Sequence, residues 1–193
     1  MFKDDIDLVR EMIAKHGLKK PVVDLGGLRA KDITVADYDI TIRTGDQRAR
    51  YLKLNKDPFT DIVGEYAILN PEYGDPPIEQ LSKNGHAGKY GTMVCLSTLE
   101  HMEHPFHAFE AFHELLQPGG LLILSTVFSF PVHGAPQDYW RFTPACLEML
   151  AGYAALRILE SGFRLQIFGD AGVRDIHTNA AQEIRSVYIV ARK

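Results

Sequence analysis

The feature that most constrains the fold is a series of short apolar runs in which hydrophobic residues do not alternate with polar ones. The clearest are PVVDL, TMVCLSTL and LLILSTV, which start at residues 21, 92 and 121. A continuous apolar strand is buried on both faces, which is typical of a parallel sheet covered by helices. We therefore predict an α/β fold with a mostly parallel sheet.

The segments between these runs have helical periodicity and helix-end signals. Residues 3–16 place apolar side chains on one face, with acidic residues first and basic residues last, as the helix dipole favours, and Gly17 would end this helix. A second helix is predicted from Pro105 to just before Pro118, and a third after Thr143.

Further strands are predicted at RYLKLN (50–55) and DIVGEYAIL (61–69), whereas residues 28–50 show little periodicity. The final segments GFRLQIFGD and RSVYIVARK alternate, and they can pair as an antiparallel end of the sheet.

Length and composition limit the number of domains and the classes of partner. A chain of 193 residues with 46% hydrophobic residues fits a single domain over 1–193, with a helix in 1–17 and a core in 21–193. The net charge of −4 argues against nucleic acid as the main partner. Cys95 and Cys146 are far apart, and there is neither a signal-peptide pattern nor an apolar run long enough to cross a membrane. These features predict a cytoplasmic protein with no membrane partner.

Polar residues and glycines follow the predicted strands, where an open α/β sheet binds its ligand. Asp24, Gly26 and Gly27 follow the first run, Asn55 ends the second, Glu65 lies in the third, and Ser97 follows the fourth. Glycines let a ligand approach the backbone, and an acid or amide can accept hydrogen bonds from ribose hydroxyls. A tight turn alone would also explain the two glycines.

Several motifs in order resemble a known family. VVDLGG, YLKLNKDPFTDIVGEYAIL, LEH, LQPGG and HGAPQDYWRFTP follow one another along the chain. Together, over residues 21 to 168, they resemble the class I S-adenosylmethionine-dependent methyltransferases of the type 11 or 23 group. The resemblance implies a Rossmann-like three-layer sandwich whose seven-stranded, mostly parallel sheet has an antiparallel last strand.

The resemblance also implies where S-adenosylmethionine would bind. Its methionine part would face the motif of one acidic residue and two glycines, and its ribose would face the residue that ends the second strand. Its adenine would face residues in the third strand, and its sulfonium would face the residues after the fourth strand. In this sequence the corresponding residues are Asp24, Gly26 and Gly27, then Asn55, then Glu65 and Tyr66, and finally Leu96, Ser97 and Thr98.

Three positions depart from the family pattern. Leu28 follows Gly27 where a further glycine is usual, Asn55 replaces a carboxylate, and Gly91 lies where an aspartate commonly opens the fourth strand. An amide accepts the ribose hydroxyls less strongly than a carboxylate, by about 1 kcal/mol. These departures leave open a degenerate, non-catalytic scaffold or binding protein. A nicotinamide-dependent oxidoreductase would need a fuller G-x-G-x-x-G turn, which is missing after Asp24.

The histidines suggest two kinds of chemistry. His101, His104 and His107 have three-residue spacing, but Pro105 would begin a helix between them, so we expect no shared face and no metal site. His133 has the intrinsic pKa of a general base, with Asp138 to orient it. Alternatively, Asp138 and Arg141 only brace their loop. His101, expected near the cofactor, completes the candidate catalytic set of His133, Asp138 and His101.

The predicted function is in-line methyl transfer from S-adenosylmethionine to a small-molecule or carbohydrate-type acceptor. Trp140 and its aromatic neighbours could stack on a planar acceptor, cover an edge of the sheet, or form a contact in a homodimer. The identity of the acceptor and of the methylated atom stays open.

Overall fold

The computed structural model describes residues 3–25, 38–40, 87–133, 138–166 and 184–193. Its helices and strands follow one another as predicted for an α/β chain. The strands are β1 (Val22–Leu25), β2 (Tyr38–Ile40), β3 (Tyr90–Leu96), β4 (Leu116–Val127), β5 (Arg157–Gln166) and β6 (Ile184–Arg192). The described helices are α1 (Lys3–His16), α2 (Pro105–Leu115) and α3 (Pro144–Tyr153), and a 3-10 turn spans Leu99–His101.

The six strands form one mixed sheet in the order β2-β1-β3-β4-β6-β5. β1 is parallel to β2 and β3, and β3 is parallel to β4. β6 is antiparallel to both β4 and β5, so the expected reversal of the last strand is present. The strands predicted at 50–55 and 61–69 lie outside the described residues, and a seven-stranded sheet stays a prediction.

One strand was not predicted, and two predicted strands begin earlier than expected. β2 lies in the stretch 28–50 that showed little periodicity, because a three-residue strand is too short to show any. β5 begins at Arg157 rather than at residue 162. β4 begins at Leu116 rather than at 121, because Pro118, Gly119 and Gly120 form a bulge inside the strand instead of separating it from the preceding helix. Gly119 has a φ of +74°, and its N–H donates to the carbonyl of Lys193 at 2.8 Å.

Two apolar clusters fill the two faces of the sheet. One packs α2 and α3 against the sheet through residues such as Phe109, Phe112 and Leu147. The other packs Leu8, Val9 and Met12 of α1 against the opposite face. The first helix therefore covers the sheet, and Gly17, at a φ of +83°, ends it as predicted. Among the described helices, none has the length and apolar character that a membrane span requires.

Candidate functional site

The carboxyl ends of β1 and β3 lie side by side. Asp24 is in register with Val94, and Leu25 with Cys95. The Thr98 hydroxyl has a single proton, which it donates mainly to the Leu96 carbonyl at 2.8 Å and more weakly to the Leu25 carbonyl at 3.4 Å. The contact with Leu25 joins the segment after β3 to the end of β1.

Of the predicted cofactor residues, four fall within the described part of the chain. Asp24 lies on β1, and Leu96, Ser97 and Thr98 lie beside the end of that strand. The structure thus brings two segments of backbone together, the end of β1 with Asp24 and the stretch Leu96–Thr98. The other predicted cofactor residues, Gly26, Gly27, Asn55, Glu65 and Tyr66, lie outside the described residues, so their roles stay predictions.

Ser97 adopts an unusual backbone conformation directly after β3. Its φ is +47°, in the left-handed region that residues other than glycine seldom occupy. Its N–H donates to the Ser125 carbonyl at 2.9 Å, which turns the chain away from the sheet at this edge. Such conformations cluster at functional sites, where the surrounding structure enforces them.

Sequence reasoning missed Asp5, which reaches the same edge from α1. Asp5 is buried, and its carboxylate accepts hydrogen bonds from Ser125 at 2.8 Å and from Ser97 at 3.5 Å. In the sequence the helix dipole alone accounts for the acidic residues at the start of α1. No local pattern indicates a contact across about 120 residues of chain.

His133 and Asp138 form a pair in the loop after β4. Nδ1 of His133 lies 3.1 Å from the Asp138 carboxylate, which also accepts the backbone N–H of His133 at 2.8 Å. Arg141 donates to both oxygens of Asp138, and also to the carbonyls of Phe130 and Pro131. The Arg141 hydrogen bonds lower the pKa of Asp138 to about 2. Asp138 therefore contacts both His133 and Arg141, so it can orient the His133 ring and also brace the loop.

A buried glutamate, Glu100, lies beside this pair. Its side chain is fully buried in the 3-10 turn, and Oε2 accepts a hydrogen bond from the Thr126 hydroxyl at 2.6 Å. Burial raises the pKa of Glu100. Its neighbour His101 packs edge-to-face on the His133 ring, with ring centroids 4.9 Å apart. The candidate catalytic residues His101, His133 and Asp138 are thus in one place, with Glu100 as a fourth member that the sequence did not single out.

Backbone hydrogen bonds hold the two segments of this cluster together. The N–H groups of Tyr139 and Trp140 donate to the Glu100 carbonyl at 2.9 and 3.3 Å. The Trp140 indole N–H donates to the Met102 carbonyl at 2.9 Å. The loop carrying His133 and Asp138 is therefore fixed against the turn carrying Glu100 and His101.

The other histidines of the LEHMEHPFH segment lie apart from this cluster. His104 caps the start of α2 and His107 lies in its first turn, with their rings 5.4 Å apart and both side chains exposed. The three evenly spaced histidines do not converge, as Pro105 at the helix start predicted.

An apolar cavity of about 380 Å³ opens beside Trp140. It lies between the first turn of α2 and the side of α3. The lining residues are Glu103, His104, Pro105, Phe106, His107, Trp140, Phe142, Cys146, Met149 and Leu150.

Comparisons with known proteins agree with this fold. Residues 6–146 match the family model described as a methyltransferase domain. Two curated relatives are ubiquinone biosynthesis O-methyltransferases. The enzyme from Psychrobacter arcticus is 32% identical, and the match covers 79% of this chain and 63% of the enzyme's own length. The enzyme from Psychrobacter cryohalolentis is 28% identical, and the match covers 72% of this chain and 60% of the enzyme's own length. The chain thus spans about three fifths of the length of these relatives.

Among solved structures, a Burkholderia thailandensis enzyme has a similar fold. It is a 1,6-didemethyltoxoflavin N1-methyltransferase with bound S-adenosylhomocysteine. Its sequence is 17% identical to this chain, the TM-score is 0.56, and the superposition covers 98% of this chain and 78% of the enzyme. The match to the family model covers well over half of the chain. The chain therefore belongs to the methyltransferase domain family, and its fold is that of the S-adenosylmethionine-dependent class I methyltransferases.

Proposed function

We propose that this chain transfers a methyl group from S-adenosylmethionine to a hydroxyl of a small-molecule or carbohydrate-type acceptor. One observation carries the proposal: the segment Leu96–Thr98, which is predicted to face the sulfonium, leads directly into the turn that holds Glu100 and His101 against His133. Cofactor and acceptor-activating groups would then meet at one edge of the sheet. The two O-methyltransferase relatives support oxygen as the methylated atom.

Methyl transfer is an in-line displacement, so alignment of the acceptor oxygen, the methyl group and the sulfur in a dry site provides most of the acceleration. The oxygen lone pair forms the new C–O bond while the C–S bond pair stays on sulfur, which gives S-adenosylhomocysteine. The hydroxyl proton has to leave. We assign acceptance of this proton to Nε2 of His133 as general base, with Asp138 as the residue that fixes its ring and His101 as its packing partner.

The acceptor would enter at the loop that carries Trp140. The apolar cavity beside this residue supports an acceptor with an aromatic or aliphatic portion, because apolar walls favour such groups over water.

Calorimetric titration of the purified chain with S-adenosylmethionine and S-adenosylhomocysteine tests the cofactor assignment, with NAD as the control. We expect both sulfur compounds to bind and NAD not to bind. Asp24→Ala and Glu65→Ala should each weaken binding by about tenfold or more, because hydrogen bonds to charged groups contribute about 1.5–3 kcal/mol. Affinity unchanged in both variants would contradict the site assignment.

Failure of the folded chain to bind either compound would favour the non-catalytic scaffold, which the Leu28 and Asn55 departures motivate.

The role of His133 in activating the acceptor hydroxyl has its own test. Once an acceptor is known, His133→Ala should lower kcat by about 10²–10⁴-fold while binding of S-adenosylmethionine is retained. Full turnover by this variant would remove His133 from the mechanism.

A further inference from the structure

We propose that Glu100, His101 and His133 together bind a divalent transition-metal ion, with zinc as the first candidate. One ligand atom from each of the three side chains lies within 4.8 Å of the other two. The three residues come from two segments of the chain, the turn after β3 and the loop after β4. The regular spacing of His101, His104 and His107 gave no such site, so this proposal replaces the expectation that no metal binds.

The buried carboxylate of Glu100 would be stabilised by a bound cation. The residue is 0% exposed and its Oε2 accepts a hydrogen bond from Thr126, whereas Oε1 is buried and has no hydrogen-bond partner within the part of the chain that the structure describes. A buried carboxylate oxygen without a partner is costly, and buried charges are normally paired or bound to metal. Nε2 of His101 is 3.9 Å from Oε1, which is too far for a hydrogen bond but suits two ligands that approach one ion.

His133 is held in the tautomer that a metal requires. Its Nδ1 faces the carboxylate of Asp138 at 3.1 Å and the carbonyl of Pro131 at 3.3 Å. Both groups only accept hydrogen bonds, so Nδ1 carries the proton and, in the neutral ring, the lone pair is on Nε2. A carboxylate that orients a histidine through its second nitrogen is the usual arrangement around protein-bound zinc.

The donor set indicates which ion would bind. Two imidazoles and one carboxylate suit zinc and its first-row neighbours, whereas magnesium and calcium prefer oxygen ligands alone. Ligand atoms about 2.0–2.2 Å from a tetrahedral zinc ion lie roughly 3.3–3.5 Å from one another. Side-chain rotations that move the ligand atoms by about 1 Å would bring this cluster to that geometry. Three protein ligands leave a position open for water or substrate.

The role of the ion rests on the proposed function. An acceptor hydroxyl at the open position would have a lowered pKa and would release its proton to water. The resulting oxygen would attack the methyl carbon, and the C–S bond pair would stay on sulfur. In the metal-bound chain Nε2 of His133 would be a ligand of the ion, so the hydroxyl proton would go to water instead of to His133.

Titration of the full chain with Zn²⁺, after treatment with a chelator and without S-adenosylmethionine, tests the site. We expect one ion per chain. Glu100→Gln and His133→Ala should each weaken binding by about tenfold or more, and Asp138→Asn by about 10–100-fold, as found for residues that orient metal ligands. His104→Ala removes an exposed histidine of the same segment and is the matched control, with unchanged affinity expected.

Thermal unfolding without metal checks that each variant is folded. His133 is partly exposed, so His133→Ala keeps the test valid even if Glu100→Gln is unstable. Absence of Zn²⁺ binding by the folded chain would overturn the proposal. Equal weakening by His104→Ala and His133→Ala would also overturn it, because that result indicates nonspecific binding to surface histidines.

The outcome is separate from that of the proposed function. Zn²⁺ binding by a chain that does not bind S-adenosylmethionine would leave the metal site in place and remove the methyltransferase role. Binding of S-adenosylmethionine by a folded chain that does not bind Zn²⁺ would remove the metal site and leave the methyltransferase role in place.

Discussion

At Gly91 the backbone of β3 approaches Lys19 so closely that no side chain fits. A Cβ built on Gly91 would lie 2.4 Å from the backbone oxygen of Lys19. The Gly91 N–H donates to the carbonyl of Pro21 at 2.8 Å, so neither segment can move aside without losing this bond. This contact explains why a glycine stands near the position where the family commonly has an aspartate.

Gly91→Ala should lower the free energy of unfolding by about 1–3 kcal/mol or more, because overpacking forces the backbone to shift. Gly152→Ala is the matched control. Nothing lies within 4 Å of its Cβ, and alanine in a helix should raise stability by about 0.5–1 kcal/mol. Urea unfolding of both variants measures the difference, and an unchanged Gly91→Ala variant would contradict the close approach.

The residues of the candidate site show how far the sequence alone leads. The motif around His133 and Asp138 contains both partners within six residues, so their pairing could be predicted. Asp5 and Glu100 could not be assigned in the same way. Their contacts with Ser125 and Thr126 depend on the alignment of α1, β3 and β4, which no local pattern encodes.

At the scale of elements, an ionic cluster ties the last turn of α1 to β5. Glu160 accepts from Lys15 at 2.9 Å and lies against Nε2 of His16. Burial alone would raise the pKa of Glu160, but the hydrogen bonds from His16 and Lys15 outweigh it and lower the pKa. A carboxyl whose pKa is lower in the folded chain stabilises the fold above its unfolded pKa, and this contribution is lost as the pH falls through the folded value.

Glu160→Gln should therefore lower the free energy of unfolding by about 0.2–1 kcal/mol at pH 7, the range of partly exposed ion pairs. The difference from the unaltered chain should shrink toward zero as the pH falls from the unfolded pKa, at about 4.3, through the lower folded pKa, because the carboxyl is then protonated in both states. Chemical unfolding at a series of pH values measures it. A difference that is the same at pH 7 and pH 3 would show that Glu160 acts through packing rather than charge.

The helices could be located better than the strands. Pro105 and Thr143 mark the starts of α2 and α3, because a proline in the first turn and a side-chain cap are local signals. The Thr143 hydroxyl accepts from the N–H of Cys146 at 3.2 Å, as a capping residue should. Strand limits depend on partners instead. β4 continues through Pro118 and Gly119 because Lys193 of the segment after β6 pairs with the bulge.

At the scale of the whole molecule, one sheet is shared by both apolar clusters. Along β4, Leu122 and Leu124 belong to the cluster under α2 and α3, while Leu121 and Ile123 belong to the cluster under α1. Neighbouring side chains of the same strand thus pack into the clusters on opposite faces of the sheet. Neither cluster can lose its packing without disturbing the strand on which the other depends.

Leu122→Ala and Ile123→Ala, which truncate fully buried side chains on the two faces, should each lower the free energy of unfolding by about 2–5 kcal/mol. We expect both to lower the midpoint of the same cooperative transition in calorimetry, because the clusters share β3 and β4. Two transitions, each shifted by only one of the variants, would show that the faces unfold independently.

The parallel part of the sheet followed from the sequence because runs such as LLILSTV are buried on both faces. Strand order did not follow from periodicity. The family resemblance implied that the last strand is antiparallel, which the structure confirms, but the placement of β6 between β4 and β5 was not predicted.

The chain contains a single tryptophan, Trp140, whose indole is hydrogen-bonded to the Met102 carbonyl within the segment that joins the two halves of the cluster. All tryptophan fluorescence of the protein therefore originates next to the candidate site and the apolar cavity. A ligand that disturbs this hydrogen bond would change the emission spectrum. The molecule thus carries an intrinsic optical probe, with which libraries of candidate acceptors can be screened without a label.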